Sequence, residues 1–174
     1  MTIVTISGQP GSGKSTVAQL LQKRLGIKYI YSGELFRQLA YQHNMTLEQF
    51  GKYCEHHREI DEELDVKQLE QLRKGNVILE GRIAGWIAHK NKISAVKILL
   101  IADLETRTRR ILKREKGEFE VRKKEIQERE KSEAKRYLHY YGIDIKDTSI
   151  YDIVIDTAEK TPEEIVDSIL NTMN

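Results

Sequence analysis

A glycine-rich segment near the start of the chain, GQPGSGKS at residues 8–15, has the residue types and spacing of a phosphate-binding loop. It matches G-x-x-x-x-G-K-[ST], a pattern in which backbone N–H groups surround a polyphosphate. Glycines adopt positive φ in such a loop and let the main chain approach the phosphates closely. We expect Lys14 to reach the β- and γ-phosphates and the Ser15 hydroxyl to bind Mg²⁺. The segment therefore predicts a nucleotide-binding site.

Charged side chains also follow two later apolar runs, at residues 27–31 and 76–79. Arg37 comes after the first run, and Glu80 and Arg82 come after the second. A guanidinium group binds phosphate bidentately, so we expect Arg37 and Arg82 to hold a second phosphate. Glu80 is an acid at a strand end and suits Mg²⁺ held through water. The alternatives are that Arg37 is a solvated helix arginine, that Arg82 is a loop arginine and that Glu80 is a charge at a strand end.

Two sets of charged residues lie at helical spacing in the second half of the chain. They are Arg107, Arg110 and Arg114, and then Arg129, Glu133 and Arg136. Each set falls on one face of a helix, and a break at residues 115–118 separates the sets. Phosphoryl transfer needs positive charge near the γ-phosphate, so the pattern predicts a lid that closes and excludes water. The alternative is a solvated pair of helices, which charge runs usually indicate.

The elements that must position these residues alternate between strands and helices. Apolar runs predict strands at 2–6, 27–31, 76–79, 96–101 and 152–155. Helices are predicted from residue 16, at 33–40, 45–53, 58–73, from 103 to about 115, up to about 141, and from 162. We expect Ser32 to cap the second helix. This alternation predicts an α/β fold with a parallel sheet covered on both faces, in which ligands bind beyond the carboxyl ends of the strands.

Composition limits the class of protein. The 174 residues are 39% hydrophobic, which is enough to bury the core of one domain. The net charge is +2, so electrostatics do not require a nucleic-acid or membrane partner. The single cysteine, Cys54, excludes an internal disulfide and a cysteine metal cluster. There is no signal pattern and no apolar run near 18 residues. We expect a cytoplasmic monomer that acts on small molecules.

Two phosphate-binding arginines away from the loop indicate an acceptor that itself carries a phosphate. This feature favours a nucleoside monophosphate kinase over a GTPase, an ATPase motor or a small-sugar kinase.

Segments over essentially the whole chain resemble the archaeal-type cytidylate kinases. They are residues 8–16, 32–37 (SGELFR), 50–53 (FGKY), 59–61 (EID), 79–86 (LEGRIAGW), 129–137 (REKSEAKRY) and 141–144 (YGID). The resemblance implies one P-loop nucleoside monophosphate kinase domain over residues 1–174, with three αβα layers and a five-stranded parallel sheet. It implies a helical monophosphate-binding insert at about 33–75 and a lid at about 114–132. It also implies transfer of the γ-phosphoryl group of ATP to CMP and dCMP, with Mg²⁺.

The resemblance implies roles for individual residues. ATP binding is expected at Gly8, Gln9, Pro10, Gly11, Ser12, Gly13, Lys14, Ser15, Thr16, Arg110 and Arg114. CMP binding is expected at Ser32, Arg37, Asp61, Gly81, Arg82, Glu133 and Arg136. Lys14, Arg129 and Arg136 are the expected catalytic residues. Ser15 and, through water, Glu80 are expected to hold the metal.

Ile83 departs from the bacterial cytidylate kinases, which have Gly-Arg-Asp where this chain has Gly81-Arg82-Ile83. That aspartate helps to recognise cytosine, and an isoleucine cannot. We therefore expect Asp61 or Asp65 to recognise the base. A carboxylate accepts from the cytosine amino group and rejects uracil, which has no donor there. The alternative is that both acids are surface charges.

Two other functions remain open from the sequence. One is a kinase of the same class with UMP or AMP as the acceptor. The other is an ATP-dependent RNA-binding switch that uses the arginines of residues 103–137. That region lacks interleaved aromatic residues and contains many acids, which argues against nucleic-acid binding.

Overall fold

Within residues 1–173, which the computed structural model describes, five strands form one sheet. They are β1 (Ile3–Gly8), β2 (Lys28–Tyr31), β3 (Val77–Glu80), β4 (Val96–Ile101) and β5 (Ile153–Asp156). The order is β2-β3-β1-β4-β5, and every neighbouring pair is parallel. Ile6 of β1 lies opposite Glu80 of β3, so the carboxyl ends of these two strands are adjacent. The predicted parallel sheet is confirmed.

Helices connect the strands. They are α1 (Lys14–Leu25), α2 (Ser32–Gln42), α3 (Leu47–Cys54), α4 (Arg58–Lys74), α5 (Ala84–Lys90), α6 (Leu104–Leu112), α7 (Phe119–Tyr141) and α8 (Pro162–Met173). The sequence did not predict α5, because its seven residues are too few for a 3.6-residue period to repeat.

The core lies on both faces of the sheet because successive strand side chains point to opposite faces. Val4 and Ile6 pack in a buried cluster that includes residues of α1 and α8. Ile3 packs on the other face, in a cluster that includes residues of α4 and α5. The result is three layers, with the sheet between two sets of helices, which confirms the predicted α/β architecture.

A third, smaller core holds helices α2, α3 and α4 together. Its buried members are Ala40, Phe50 and Cys54. Phe50 is fully buried, and its ring centroid lies 4.9 Å from that of Phe36. Thr46 begins α3 with a capping box, accepting from the Gln49 backbone while the Gln49 side chain accepts from the Thr46 backbone. These helices occupy the region expected to form the monophosphate-binding insert.

The prediction that Ser32 caps α2 is wrong. The helix begins at Ser32 itself, and Tyr31 occupies the N-cap position without a side-chain hydrogen bond. The Ser32 hydroxyl instead lies 2.6 Å from Oε1 of Gln68 and 2.7 Å from the carbonyl oxygen of Glu80. The Ser32 hydroxyl therefore contacts residues distant in the chain and does not cap the helix.

The segment between α6 and α7, residues 113–118, lies in the region expected to form the lid. Arg122 of α7 pairs with Glu115 at 3.2 Å and donates to the carbonyl oxygen of Lys116 at 3.2 Å. The first turn of α7 therefore holds this segment. None of the helices in residues 1–173 combines the length and apolar character needed to cross a membrane.

Candidate active site

One cavity of about 1090 Å³ lies where the loop after β1, helices α2 and α4, and helices α6 and α7 meet. It is lined by all the expected site residues except Gly8, Gln9 and Ser12. Because β1 and β3 end side by side, the glycine-rich loop and Glu80 reach the same part of the cavity. The fold therefore brings together groups that lie far apart in the sequence.

The glycine-rich loop has the backbone conformation that a phosphate site requires. Gly11 and Gly13 have φ of 78° and 94°, which favour glycine. A Cβ atom on Gly11 would lie 2.6 Å from the carbonyl oxygen of Arg107, so a larger residue would displace the loop. Helix α1 begins at Lys14 without a side-chain cap, which leaves its first N–H groups directed at the loop. Such a helix start binds anions.

Lys14 extends along the loop and is 7% exposed. Its Nζ atom donates to the carbonyl oxygen of Gln9 at 2.8 Å. Burial, together with the neighbouring charge of Arg82, holds the pKa of Lys14 well below its usual range. An anionic ligand beside Lys14 would stabilise its protonated form.

Ser15 and Glu80 form the oxygen-rich pair beside Lys14. The Ser15 hydroxyl donates to Oε1 of Glu80 at 3.0 Å, and the Tyr29 hydroxyl donates to Oε2. Glu80 is 1% exposed, so these contacts hold its carboxylate in one position. Among residues 1–173, no cluster of three or more His, Cys, Asp or Glu could hold a metal ion. A hydroxyl and one carboxylate fit Mg²⁺ of the kind that keeps waters and substrate phosphates as its other ligands.

Glu133 of α7 holds two of the expected arginines. Its Oε2 accepts from Nε of Arg82 at 2.6 Å, and its Oε1 accepts from Nε of Arg129 at 3.0 Å. Arg82 also donates to the carbonyl oxygen of Gly8 at 3.1 Å, which ties it to the loop. Burial alone would raise the pKa of Glu133, but the charges of Arg82 and Arg129 lower it to about 2. The carboxylate is therefore ionised at neutral pH.

Arg136 lies deeper in the cavity wall and is 2% exposed. Its Nε lies 3.2 Å from Oδ2 of Asp61, and it donates to the carbonyl oxygen of Gly51 at 3.0 Å. Its guanidinium also lies over the rings of Phe36 and Tyr137, at 5.5 and 5.7 Å from their centroids. Asp61 is thus already paired with an arginine, although burial raises its pKa to about 6.

The remaining expected arginines lie at the edges of the cavity. Arg37 is exposed and lies over the ring of Tyr31, at 5.4 Å from its centroid. Arg110 donates to the hydroxyl of Thr157 at 2.8 Å and lies beside Gly11, while Arg114 is exposed. Thr157 follows β5 and also donates to the carbonyl oxygen of Ser12 at 2.9 Å. No local pattern indicates a role for Thr157, because its contacts are with residues distant in the chain.

Arg107 differs from the other arginines of α6. It is 3% exposed and does not line the cavity. It donates to the carbonyl oxygens of Ala102 at 2.9 Å and Pro10 at 3.2 Å, and it pairs with Glu130 of α7. The expectation that it shares one lid face with Arg110 and Arg114 is therefore wrong. Arg107 therefore supports the glycine-rich loop through its hydrogen bond to Pro10.

Comparison with solved structures gives the class of the fold. A gluconokinase from Sinorhizobium meliloti superposes with a TM-score of 0.67 over 99% of this chain and 91% of that one, at 12% identity. At such low identity the likeness concerns the fold alone, which is that of the P-loop kinases.

Comparison of sequences gives the family. Residues 3–159 match the model of the cytidylate kinase-like family, and the chain belongs to that family. The cytidylate kinase of Thermococcus kodakarensis is 47% identical over 94% of this chain and 83% of its own. The cytidylate kinase of Methanocaldococcus jannaschii is 42% identical over 99% of this chain and 97% of its own. The resemblance noted from individual segments is thereby confirmed.

Proposed function

We propose that this protein is a cytidylate kinase, which transfers the γ-phosphoryl group of ATP to CMP and dCMP and releases ADP with CDP or dCDP. The observation that carries this proposal is the 42–47% identity with cytidylate kinases over nearly the whole chain. A phosphate-binding loop that faces an arginine-lined cavity supports it.

The residues that line the cavity include one set for each nucleotide. The loop, Arg110 and Arg114 would bind ATP, since they line the cavity and Arg110 donates to the carbonyl oxygen of Gly11 in the loop. Arg37, Arg82 and Arg136, which line the same cavity, would bind the phosphate of CMP. Residues 33–75 would form the insert that holds the acceptor, and residues 114–132 would form the lid.

The transfer needs no covalent intermediate on the protein. An oxygen of the CMP phosphate attacks the γ-phosphorus in line, and the bond to the β–γ bridging oxygen breaks as the new bond forms. Catalysis then consists of positioning and of stabilising negative charge, which fits a site rich in fixed cations. Lys14 and Arg129 both line the cavity and would stabilise the transferring group.

The Ser15–Glu80 pair would hold Mg²⁺, with Glu80 acting through water. When bound, the cation neutralises charge on the β- and γ-phosphates. Tyr29 would keep the Glu80 carboxylate in place, because its hydroxyl donates to the oxygen that Ser15 does not use.

The same activity would place the protein in pyrimidine nucleotide metabolism. Cys54 is a buried free thiol, which suits the reducing cytoplasm. We propose a monomer there, acting on small nucleotides without a nucleic acid or a membrane.

A coupled assay of ADP release tests the function. The rate is measured with CMP, dCMP, UMP and AMP at equal concentrations, in the presence of ATP and Mg²⁺. We expect CMP and dCMP to be preferred. Equal rates with AMP and CMP would contradict the proposal, and salt-sensitive RNA binding without turnover that responds to a monophosphate would favour an RNA-binding switch.

A further inference from the structure

One face of α4 lines the cavity. It carries Asp61, Leu64, Asp65 and Gln68, which lie at i, i+3, i+4 and i+7. Asp61 is paired with Arg136 at 3.2 Å, and Leu64 is apolar. The two other polar groups of this face, the carboxylate of Asp65 and the carboxamide of Gln68, are not paired with an arginine or lysine of residues 1–173.

Asp65 and Gln68 form one hydrogen-bonded row with Ser32. The Gln68 Nε2 atom donates to Oδ1 of Asp65 at 3.2 Å and to the carbonyl oxygen of Leu64 at 3.3 Å. The Gln68 Oε1 atom accepts from the hydroxyl of Ser32, at 2.6 Å. Gln68 is 6% exposed and held at both ends, so it fixes the carboxylate beside it.

Gly81 connects this row with the arginine that would bind the acceptor phosphate. A Cβ atom at Gly81 would lie 2.8 Å from Oγ of Ser32 and 3.4 Å from Oε1 of Gln68. Glycine at this position therefore lets the strand end approach the row closely. Arg82 follows Gly81 immediately in the chain, so this close approach brings the row near the arginine that would bind the acceptor phosphate.

The cavity beside the row has walls suited to a flat ring. Phe36, Leu64, Ile83 and Tyr137 all line it, and they supply apolar and aromatic surface. A base held between such walls presents its polar edge to whichever hydrogen-bonding groups lie in the same compartment. Asp65 and Gln68 line this cavity and are not paired with a cation of the described chain, so they are the groups of α4 open to such a contact.

We propose, on the basis of the function proposed above, that Asp65 recognises the cytosine base of the acceptor and that Gln68, held by Ser32, positions Asp65. The ionised carboxyl group accepts a hydrogen bond from the 4-amino group of cytosine. Uracil has a carbonyl oxygen at that place, which would face the carboxylate without a proton between them. Such a site rejects the analogue that leaves a buried polar group unpaired.

The protonation state of the Asp65 carboxyl group determines the pH at which the proposal should be tested. Burial raises its pKa to about 7, against the opposing charge of Arg136 and the nearby Tyr141 hydroxyl. Measurements at pH 8 therefore favour the carboxylate form that accepts from the amino group.

The test is the ratio of kcat/KM for CMP to kcat/KM for UMP in the wild type and in Asp65→Asn, with direct binding of both monophosphates. An amide of the same shape offers either a donor or an acceptor, so we expect this ratio to fall by about tenfold or more. We expect UMP to gain activity and the KM for ATP to change little. Asp65→Ala should lose CMP activity without a gain for UMP.

Matched variants separate recognition from structure. Glu63→Gln alters an exposed carboxylate of the same helix that pairs with Lys67, and it should leave the ratio unchanged. Gln68→Met keeps the side-chain volume but removes the hydrogen bonds to Ser32 and Asp65. It should therefore lower the ratio of CMP to UMP activity less than Asp65→Asn does. A ratio in Asp65→Asn within threefold of the wild type would overturn the proposal, as would a shift produced by Asp61→Asn alone. A wild type that does not use CMP would instead contradict the proposed function.

Discussion

Arg82, which follows β3, donates from Nε to Oε2 of Glu133 on α7 at 2.6 Å. The other oxygen of this carboxylate accepts from Arg129, and the Glu133 side chain is 8% exposed. One buried carboxylate therefore fixes an arginine expected to bind the acceptor and an arginine of the expected lid at the same time. Glu133 acts by positioning both cations.

We expect Glu133→Gln to lower kcat/KM for CMP by about 100-fold, the loss typical of removing one group that stabilises a transition state. The reason is that Arg82 and Arg129 lose the negative charge that holds them near each other. Steady-state kinetics check this, with Glu120→Gln on the exposed side of the same helix as the control. Activity within threefold of the wild type would show that the arginines hold their positions unaided.

The same carboxylate makes the fold sensitive to acid. Its pKa is about 2 in the folded protein, below the ordinary value of 4.5. Glu133 therefore stabilises the fold above pH 4.5, and this contribution disappears as the pH falls from there towards 2. The lost free energy of unfolding is about 3 kcal/mol. Urea unfolding at several pH values should show a shallower acid slope for Glu133→Gln, and parallel slopes would contradict this expectation.

Removal of the Tyr29 hydroxyl should weaken the expected metal site. Tyr29→Phe leaves one oxygen of the buried Glu80 carboxylate without its donor, at a cost of about 1–3 kcal/mol in the free energy of unfolding. We expect a lower melting temperature and a higher Mg²⁺ concentration for half-maximal binding of ATP. Tyr41→Phe is the control, because Tyr41 is 84% exposed. An unchanged Mg²⁺ requirement would mean that Ser15 alone holds the carboxylate in place.

Substitution of Arg107 should affect the donor and not the acceptor. Arg107→Lys cannot donate to the carbonyl oxygens of Ala102 and Pro10 with one planar group, so the loop loses support. We expect the KM for ATP to rise by about tenfold, equivalent to about 1.4 kcal/mol, with the KM for CMP little changed. Arg109→Lys on the exposed face of α6 provides the comparison. Equal changes for both substrates would contradict a role confined to the loop.

The sequence predicted the features that local patterns encode. The apolar runs predicted five parallel strands. The reason is clearest for β3, whose residues are all buried, because a strand buried on both faces is mostly apolar. The glycine-rich loop was predicted because its spacing and its position between a strand and a helix are specific. Its glycines are in the conformation that the motif requires.

Contacts between distant segments could not be predicted in this way. Arg82 and Glu133 are separated by 51 residues, and nothing in the local pattern of either indicates the other. Arg107 was assigned to the lid because helical spacing fixes a face but not what that face packs against. Ser32 was predicted to cap a helix because serine is favoured at that position. The sequence around it does not indicate the competing partners Gln68 and Glu80.

Helix α7 has a further consequence for how the two nucleotides affect each other. Its 23 residues span about 35 Å. It contacts Arg107, which supports the loop, through Glu130, and it contacts α3 of the expected insert through Arg136 and Tyr140. A nucleotide that displaced α7 would therefore change its contacts with both regions. By thermodynamic linkage, the factor by which ATP alters the dissociation constant of the acceptor must equal the factor by which the acceptor alters that of ATP.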